Sequence, residues 1–251
     1  SAASDVYKRQ RMERADKYIN DIELLFQEWK NKAPSDDINH SQNVFIRDGI
    51  VCPEQWFSQK VRPLFLLKEA YHGTGDWDLI KEHLLTEAKM GKHITWKRVS
   101  QWTQGLLHTS TTYLCPFRDE AAMHYFGNEQ LRQIAVVNVK KSDGAKDSEK
   151  DNILQYAEYD RTELRREIEL IDPTIIVCGY TITSLNVIMG YNIKDRQNSN
   201  LYYFTRLNGH DVIVLDYYHP SNRYPDIMNY YGLIGSYQQA LICQSKGVCS
   251  K

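Results

Sequence analysis

Four apolar runs organise this chain: Arg62 to Leu67, Ile134 to Val139, Thr174 to Cys178 and Val212 to Asp216. Each lacks polar alternation and empties abruptly into polar, aromatic, Gly or Pro residues, as a strand buried on both faces does. Helical spacing fills the intervals. Tyr18, Ile19, Ile22, Leu25, Phe26 and Trp29 predict an amphipathic helix from Arg11 to about Lys32, closed by Ala33-Pro34-Ser35. Residues 44 to 51 read as a hairpin or a short edge strand with Asp48-Gly49 at the turn. Trp77 to about Leu107 reads as helix in two pieces broken near Gly91, and 109 to 130 as a polar, irregular insertion. Asp147 to Leu170 predicts one long charged helix, stopped by Ile171-Asp-Pro. Gly179 to Met189 predicts a short helix, Tyr202 to Thr205 a small strand, and Pro225 to Cys243 the final helix.

Strands alternating with helices four times over predict an α/β fold. It is expected to be a three-layer α/β/α architecture with a central, mostly parallel four-stranded sheet. No internal repeat, low-complexity tract or linker divides the chain, so residues 11–251 read as one domain. The first ten residues are set apart. Ser1 to Gln10 can be written in codons as TCG GCA GCG TCA GAT GTG TAT AAG AGA CAG, which resembles a transposon-derived sequencing adapter.

Composition changes this picture little. A net charge of −1 over 251 residues gives no global field toward nucleic acid or anionic lipid, so any DNA contact must come from a local patch. No apolar run reaches membrane-spanning length, and no membrane partner is expected. The five cysteines (Cys52, Cys115, Cys178, Cys243, Cys249) form no Cys-x-x-Cys pair, which argues against a zinc or iron–sulfur site and for reduced thiols in the cytoplasm. The 17 tyrosines supply flat faces with polar tips, suited to stacking or to a core edge.

Candidate chemistry gathers where two of the apolar runs end. Lys68-Glu-Ala-Tyr-His-Gly-Thr-Gly75 carries a carboxylate, a phenol and an imidazole within four residues, and Tyr217-Tyr-His-Pro-Ser-Asn-Arg223 carries a second imidazole. Loops at the carboxyl ends of parallel strands converge on one crevice. The first loop resembles the Gly-Gln-Asp-Pro-Tyr-His-Gly-x-Gly water-activating loop of uracil-DNA glycosylases, and also the Gly-Glu-Ala-Pro-Gly loop of the iron–sulfur branch of that superfamily. His219-Pro-Ser221 is similar to its second motif, and Asn138 matches the position of its base-reading Asn. Ile171-Asp-Pro-Thr-Ile-Ile-Val-Cys-Gly179 is similar to its strand-Gly segment. The four features occur in the superfamily's order across roughly residues 62 to 243.

The resemblance implies a monofunctional DNA glycosylase that removes uracil or a related altered pyrimidine by base extrusion. Glu69 and His219 would be catalytic, the first orienting or deprotonating water and the second donating to O2 of the base. Tyr71, His72, Asn138 and Ser221 would hold the substrate, with Tyr71 against C5 and Asn138 on the Watson–Crick edge. The Asn138 amide, read from sequence, can face either way and so fixes no base. Lys140, Lys141 and Lys146 are candidate phosphate contacts, and Asn222, Arg223 and Tyr224 stand where a wedge would enter the stack. No cofactor and no metal are implied. The partner would be DNA, touched over a few nucleotides by a monomer. Three departures bear on the substrate: Glu69 replaces the shorter Asp, Ala70 replaces Pro, and Lys68 replaces Gln or Gly. Two other readings stay open, a glycosylase for bulky 5-modified pyrimidines in phage defence and a catalytically inactive DNA-binding relative.

Overall fold

The computed structural model describes residues 2–70, 75–86, 93–119, 126–144, 149–193 and 201–247, the side chains of 2–4 and 126–128 excepted. The chain opens with α1 (Ala2–Lys30), two dipeptide strands, β1 (Ile46–Arg47) and β2 (Gly49–Ile50), and a single turn, α2 (Pro53–Trp56). Next come β3 (Pro63–Glu69), β4 (Trp77–Asp78), a π-helical turn over Leu79–Leu84, α3 (Ile94–His108) and α4 (Phe126–Leu131). β5 (Ala135–Lys140), α5 (Lys150–Tyr159), α6 (Arg161–Ile171), β6 (Ile175–Gly179) and α7 (Ile182–Met189) follow. A hairpin of β7 (Tyr202–Leu207) and β8 (His210–Tyr217) leads into α8 (Asp226–Lys246).

The sheet is mixed and six-stranded, in the order β2-β5-β3-β6-β8-β7. Its four middle strands are parallel, whereas β2 and β7 run antiparallel at the two edges. The expectation of four strands is thus corrected to six. The four apolar runs supply the middle, and two strands with weaker signals close the edges. At one edge β7 and β8 meet through Asn208-Gly209, both with positive φ (48° and 85°). That is the conformation a tight hairpin turn needs.

Alternate strand positions face opposite ways, which explains the absence of a polar face. Leu64, Leu66, Val137, Ile176 and Val214 pack with Leu25, Trp29, Ile168 and Leu185 of α1, α6 and α7. Phe65, Leu67, Val136, Val177 and Leu215 pack on the other side with Val99, Trp102, Tyr230 and Leu233 of α3 and α8. Each such aliphatic or aromatic side chain contributes about 1.5–3 kcal/mol of burial, so both faces of the sheet are driven to be covered.

Several local expectations change. Of the two readings of residues 44–51, the hairpin does not form, since β1 pairs in parallel with β4, whereas the short edge strand does, since β2 pairs with β5 at the edge of the main sheet. Asp48 between them is buried, accepting from the Asn138 backbone, and Gly49 (φ 125°) passes beneath the Tyr18 hydroxyl where a Cβ would collide. The 147–170 helix breaks at Asp160, because its carboxylate turns inward to His40 Nε2, 2.9 Å from both oxygens. The start of the 77–107 segment is a strand and a π-helical turn, capped by Asp78, which accepts from the backbone of Ile80 and Lys81. The proposed break at Gly91 lies outside the described residues. The irregular 109–130 insertion includes a helix at its end, α4. At the amino end α1 is continuous from Ala2, since a nucleated helix extends through exposed residues with no Pro or Gly to stop it.

Candidate functional site

Parallel strands β5, β3, β6 and β8 lie side by side, so their carboxyl ends form one rim. Glu69 ends β3, Gly179 ends β6, and His219 follows β8 by two residues. Glu69 and His219 are therefore on the same rim, separated by β6. Two inter-strand spacings make that separation about 10 Å. Gly179 is the floor between them. A Cβ there would lie 2.9 Å from Leu67 Cδ2 and 3.5 Å from His219 Cα and Cδ2. The tight contact is with Leu67; the imidazole would lie at ordinary van der Waals distance from a side chain there.

Glu69 is a charged group taken out of water, its side chain 4% exposed. Lys140, its cross-strand neighbour on β5, offers Nζ 3.3 Å from Oε2. Oε1 makes no hydrogen bond among the described residues. Buried carboxylate oxygens need partners, so among the described residues Oε1 is an acceptor left unused. The far wall is Gly144, where a Cβ would come within 2.7 Å of Glu69 Cγ, and whose N–H donates to the Ala70 carbonyl at 3.0 Å. Lys140 also donates to Asn152 (3.1 Å) and lies 5.3 Å from the Tyr156 ring centre. It is a partner of the carboxylate, in place of the phosphate contact expected of it.

His219 is half-buried, and its pKa is pushed down to about 4 by desolvation first and by the positive charge of Lys68 second. The ring is neutral at physiological pH. Ser221 fixes its tautomer: the Ser221 N–H donates to Nδ1 at 3.2 Å, and Oγ lies 2.7 Å from the same nitrogen. Nδ1 is thus the acceptor, and the ring proton sits on Nε2. A neutral donor and a carboxylate acceptor thus stand on the same rim, with β6 between them.

The loop carrying His219 is held from outside. Arg98 of α3 is buried, and its guanidinium donates to the carbonyls of Pro220 (2.8 Å), Asn222 and Tyr224 (2.7 Å) and to Asp226 Oδ1 (2.7 Å). Burial works against the Asp226 charge, but hydrogen bonds from Lys97 and Arg98 outweigh it and hold the carboxyl below its usual range. Asn222 completes the turn, donating to the His219 carbonyl (2.8 Å) and to Asn229 Oδ1 (2.7 Å). Its amide serves the loop's shape. Arg223 and Tyr224 are exposed.

Asn138 lies on β5, on the other side of Glu69 from His219, and is 2% exposed. Both its backbone N–H (2.8 Å) and its amide nitrogen (3.0 Å) donate to Asp48 Oδ2. A carboxylate accepts only from the nitrogen, so the amide orientation left open by the sequence is set. Lys141 is corrected outright. It is fully buried, paired with Asp48 and with Glu167 (2.8 Å), and cannot meet a phosphate. Tyr71, His72 and Lys146 lie outside the described residues.

Arg98 escaped the sequence reading, although one signal was there. It lies on the stripe that places Trp102, Gly105 and Leu106 inward, and an arginine on an apolar stripe has buried acceptors to satisfy. Gly144 offered no such signal, because its partner is 75 residues away. Among the described residues no three His, Cys, Asp or Glu side chains cluster as metal ligands, and no helix is long and apolar enough to cross a membrane. The chain matches no protein-family model and no curated protein.

Proposed function

We propose that this chain is a DNA N-glycosylase that hydrolyses the bond between deoxyribose and an altered pyrimidine such as uracil. The reading is supported above all by the pairing on one rim of a buried carboxylate, one oxygen of which is unused among the described residues, with a neutral imidazole whose proton sits on Nε2. Breaking C1′–N1 leaves positive charge on the sugar and negative charge on the base. Glu69 stabilises the first and takes a proton from the water that adds to C1′. His219 donates from Nε2 to O2 of the departing base, where negative charge develops. A neutral imidazole suits that task, since it donates without surrendering its proton. The reading requires a planar ring, with a hydrogen bond at either end, to fit between the ends of β3 and β8, whose backbones are about 10 Å apart across β6.

Asn138 enters this reading through Oδ1 alone, because Asp48 holds its nitrogen. An acceptor presented to the base favours uracil N3–H over the bare N3 of cytosine. Ser221 acts through His219 by fixing the tautomer. Arg223 and Tyr224, exposed beside the loop, meet the DNA around an extruded nucleotide. The protein works as a monomer and needs no cofactor for this step.

The test uses end-labelled oligonucleotides carrying uracil, thymine or a bulky 5-substituted pyrimidine, followed by alkaline cleavage of abasic sites. Abasic sites at uracil, with thymine left intact, are expected. Abasic sites only at the bulky base would move the specificity to phage-type modified DNA. Binding without abasic sites on any of the three would overturn the glycosylase reading and leave a DNA-binding relative.

A further inference from the structure

Beside His219 the rim carries a row of tyrosines that the hydrolytic chemistry leaves unused. Tyr218 meets Tyr180 at 5.5 Å and Tyr224 at 5.1 Å between ring centres, with interplanar angles of 78° and 60°. Tyr180 is 46% exposed and Tyr224 50%. Large aromatic surface left in water at a site's border marks an interaction surface.

Tyr180 adds an independent observation. Its φ is 61°, in the left-handed region where a side chain is strained. The backbone is fixed there by the Tyr180 N–H, which donates to the carbonyls of Cys178 and Tyr217, both at 3.0 Å. Glycine would occupy that position without strain. The sequence keeps a large, half-exposed ring where the backbone favours none, and strain held at a rim beside a candidate site points to use.

Charge selects among possible occupants. Lys68 Nζ lies 5.6 Å from the Tyr180 ring centre, and Arg223 adjoins Tyr224. Neither forms a salt bridge to a carboxylate among the described residues. The acids nearby are committed, Glu69 to Lys140 and Asp226 to Lys97 and Arg98. Exposed aromatic faces interspersed with cations that have no carboxylate partner among the described residues suit a chain of flat bases joined by phosphates.

We infer that Tyr180, Tyr218 and Tyr224, with Lys68 and Arg223, form a platform on which unpaired bases of single-stranded DNA stack beside the cleft. The inference rests on the nucleic-acid reading above and narrows its substrate to single-stranded or locally melted DNA. In a duplex the flanking bases are stacked on one another and have no face to offer the tyrosines. Only two cations contribute, so affinity comes mainly from the rings.

The test is independent of catalysis. Fluorescence anisotropy with a labelled twelve-residue oligothymidylate, free of uracil, is compared with its duplex for the parent chain, Tyr180→Gly, Tyr180→Phe and Tyr224→Ala. The single strand is expected to bind better than the duplex. Tyr180→Gly and Tyr224→Ala should each weaken it roughly five- to hundredfold, the range found for removing one stacking ring. Tyr180→Phe should retain binding. Tyr180→Gly should also unfold at an unchanged or higher temperature, which separates a used ring from a structural one. The logarithm of affinity should fall with the logarithm of salt with a slope of about −1.4, for two phosphates on a single strand. Equal binding of the duplex, parental affinity in Tyr180→Gly, or a slope steeper than about −3 would each overturn the platform. Ring-dependent binding by a chain that makes no abasic sites would keep the platform and sink the glycosylase. Abasic sites from a chain whose tyrosine variants bind normally would do the reverse.

Discussion

Lys140 and Lys141 are neighbours in sequence, and the structure gives them opposite employment. Lys140 reaches the rim and pairs with Glu69, leaving Oε1 without a hydrogen bond among the described residues. Lys141 points into the protein beneath α1, where Asp48 and Glu167 share its one positive charge and the Phe26 and Trp29 rings lie 5.8 and 5.3 Å from Nζ. One positive charge cannot neutralise two carboxylates. Desolvation, only partly offset by Lys141 and reinforced by Asp48, holds the Glu167 pKa well above its ordinary value. Lys141 itself is desolvated, yet its two acids outweigh that and raise its pKa. Both Glu167 oxygens, like Glu69 Oε1, make no hydrogen bond among the described residues, so what separates the two groups is access: the inner cluster is sealed from water beneath α1, whereas the outer pair stands at the rim. Chemistry is to be sought where incomplete pairing meets the rim.

The sharpest break in this comparison is Lys141→Met, which strands Asp48 without its cation. A stability loss of about 3–5 kcal/mol in urea denaturation is expected; a loss below about 1 kcal/mol would show that the cluster is dispensable. Glu69→Gln tests the other half. It should lower kcat/KM on uracil-containing DNA by about 10²–10³, as removing one transition-state group does, with little change in the urea midpoint. If stability falls and activity survives, Glu69 is merely the partner of Lys140. Arg98→Lys keeps a charge but loses the planar fork, and should reduce kcat by about 10–100-fold through misplacement of His219. An unchanged kcat would remove Arg98 as a positioning residue.

Two smaller effects depend on pH. Glu167, with its raised pKa, binds its proton more tightly folded than unfolded. Its contribution is therefore complete below about 4.5 and is lost as pH rises through the elevated value. Glu167→Gln should flatten that part of the stability profile. His219 has the opposite sign. Its contribution is complete above 6.5 and is lost as pH falls toward about 4. NMR titration should place the imidazole near 4, and Lys68→Ala should move it upward by removing a neighbouring positive charge. A ring titrating near 6.5 in the parent would contradict the burial and the neighbouring charge held to depress it.

The middle of the sheet was legible because parallel strands buried on both faces write themselves as unbroken apolar runs. The edges were less so. β2 is a dipeptide, fixed by pairing with β5 and by Asp48, and its sequence alone carries no sign of either. Asp160 looked like a helix residue because its partner, His40, lies 120 positions away. The rim residues Glu69 and His219 were found from the polar ends of apolar runs, which is a local signal. Lys141 was misassigned because adjacency in sequence says nothing about which side of a strand end a long side chain takes. Arg98 was missed for the converse reason: it serves a loop more than 120 residues downstream.

The guanidinium of Arg98 grips carbonyl groups, which every residue possesses whatever its side chain. The path of the segment from Pro220 to Tyr224 is consequently encoded on a distant helix as well as in its own Asn222. Positions such as Arg223 and Tyr224 are left at liberty to be exchanged, so a lineage can retune what the protein grasps without disturbing where its imidazole stands.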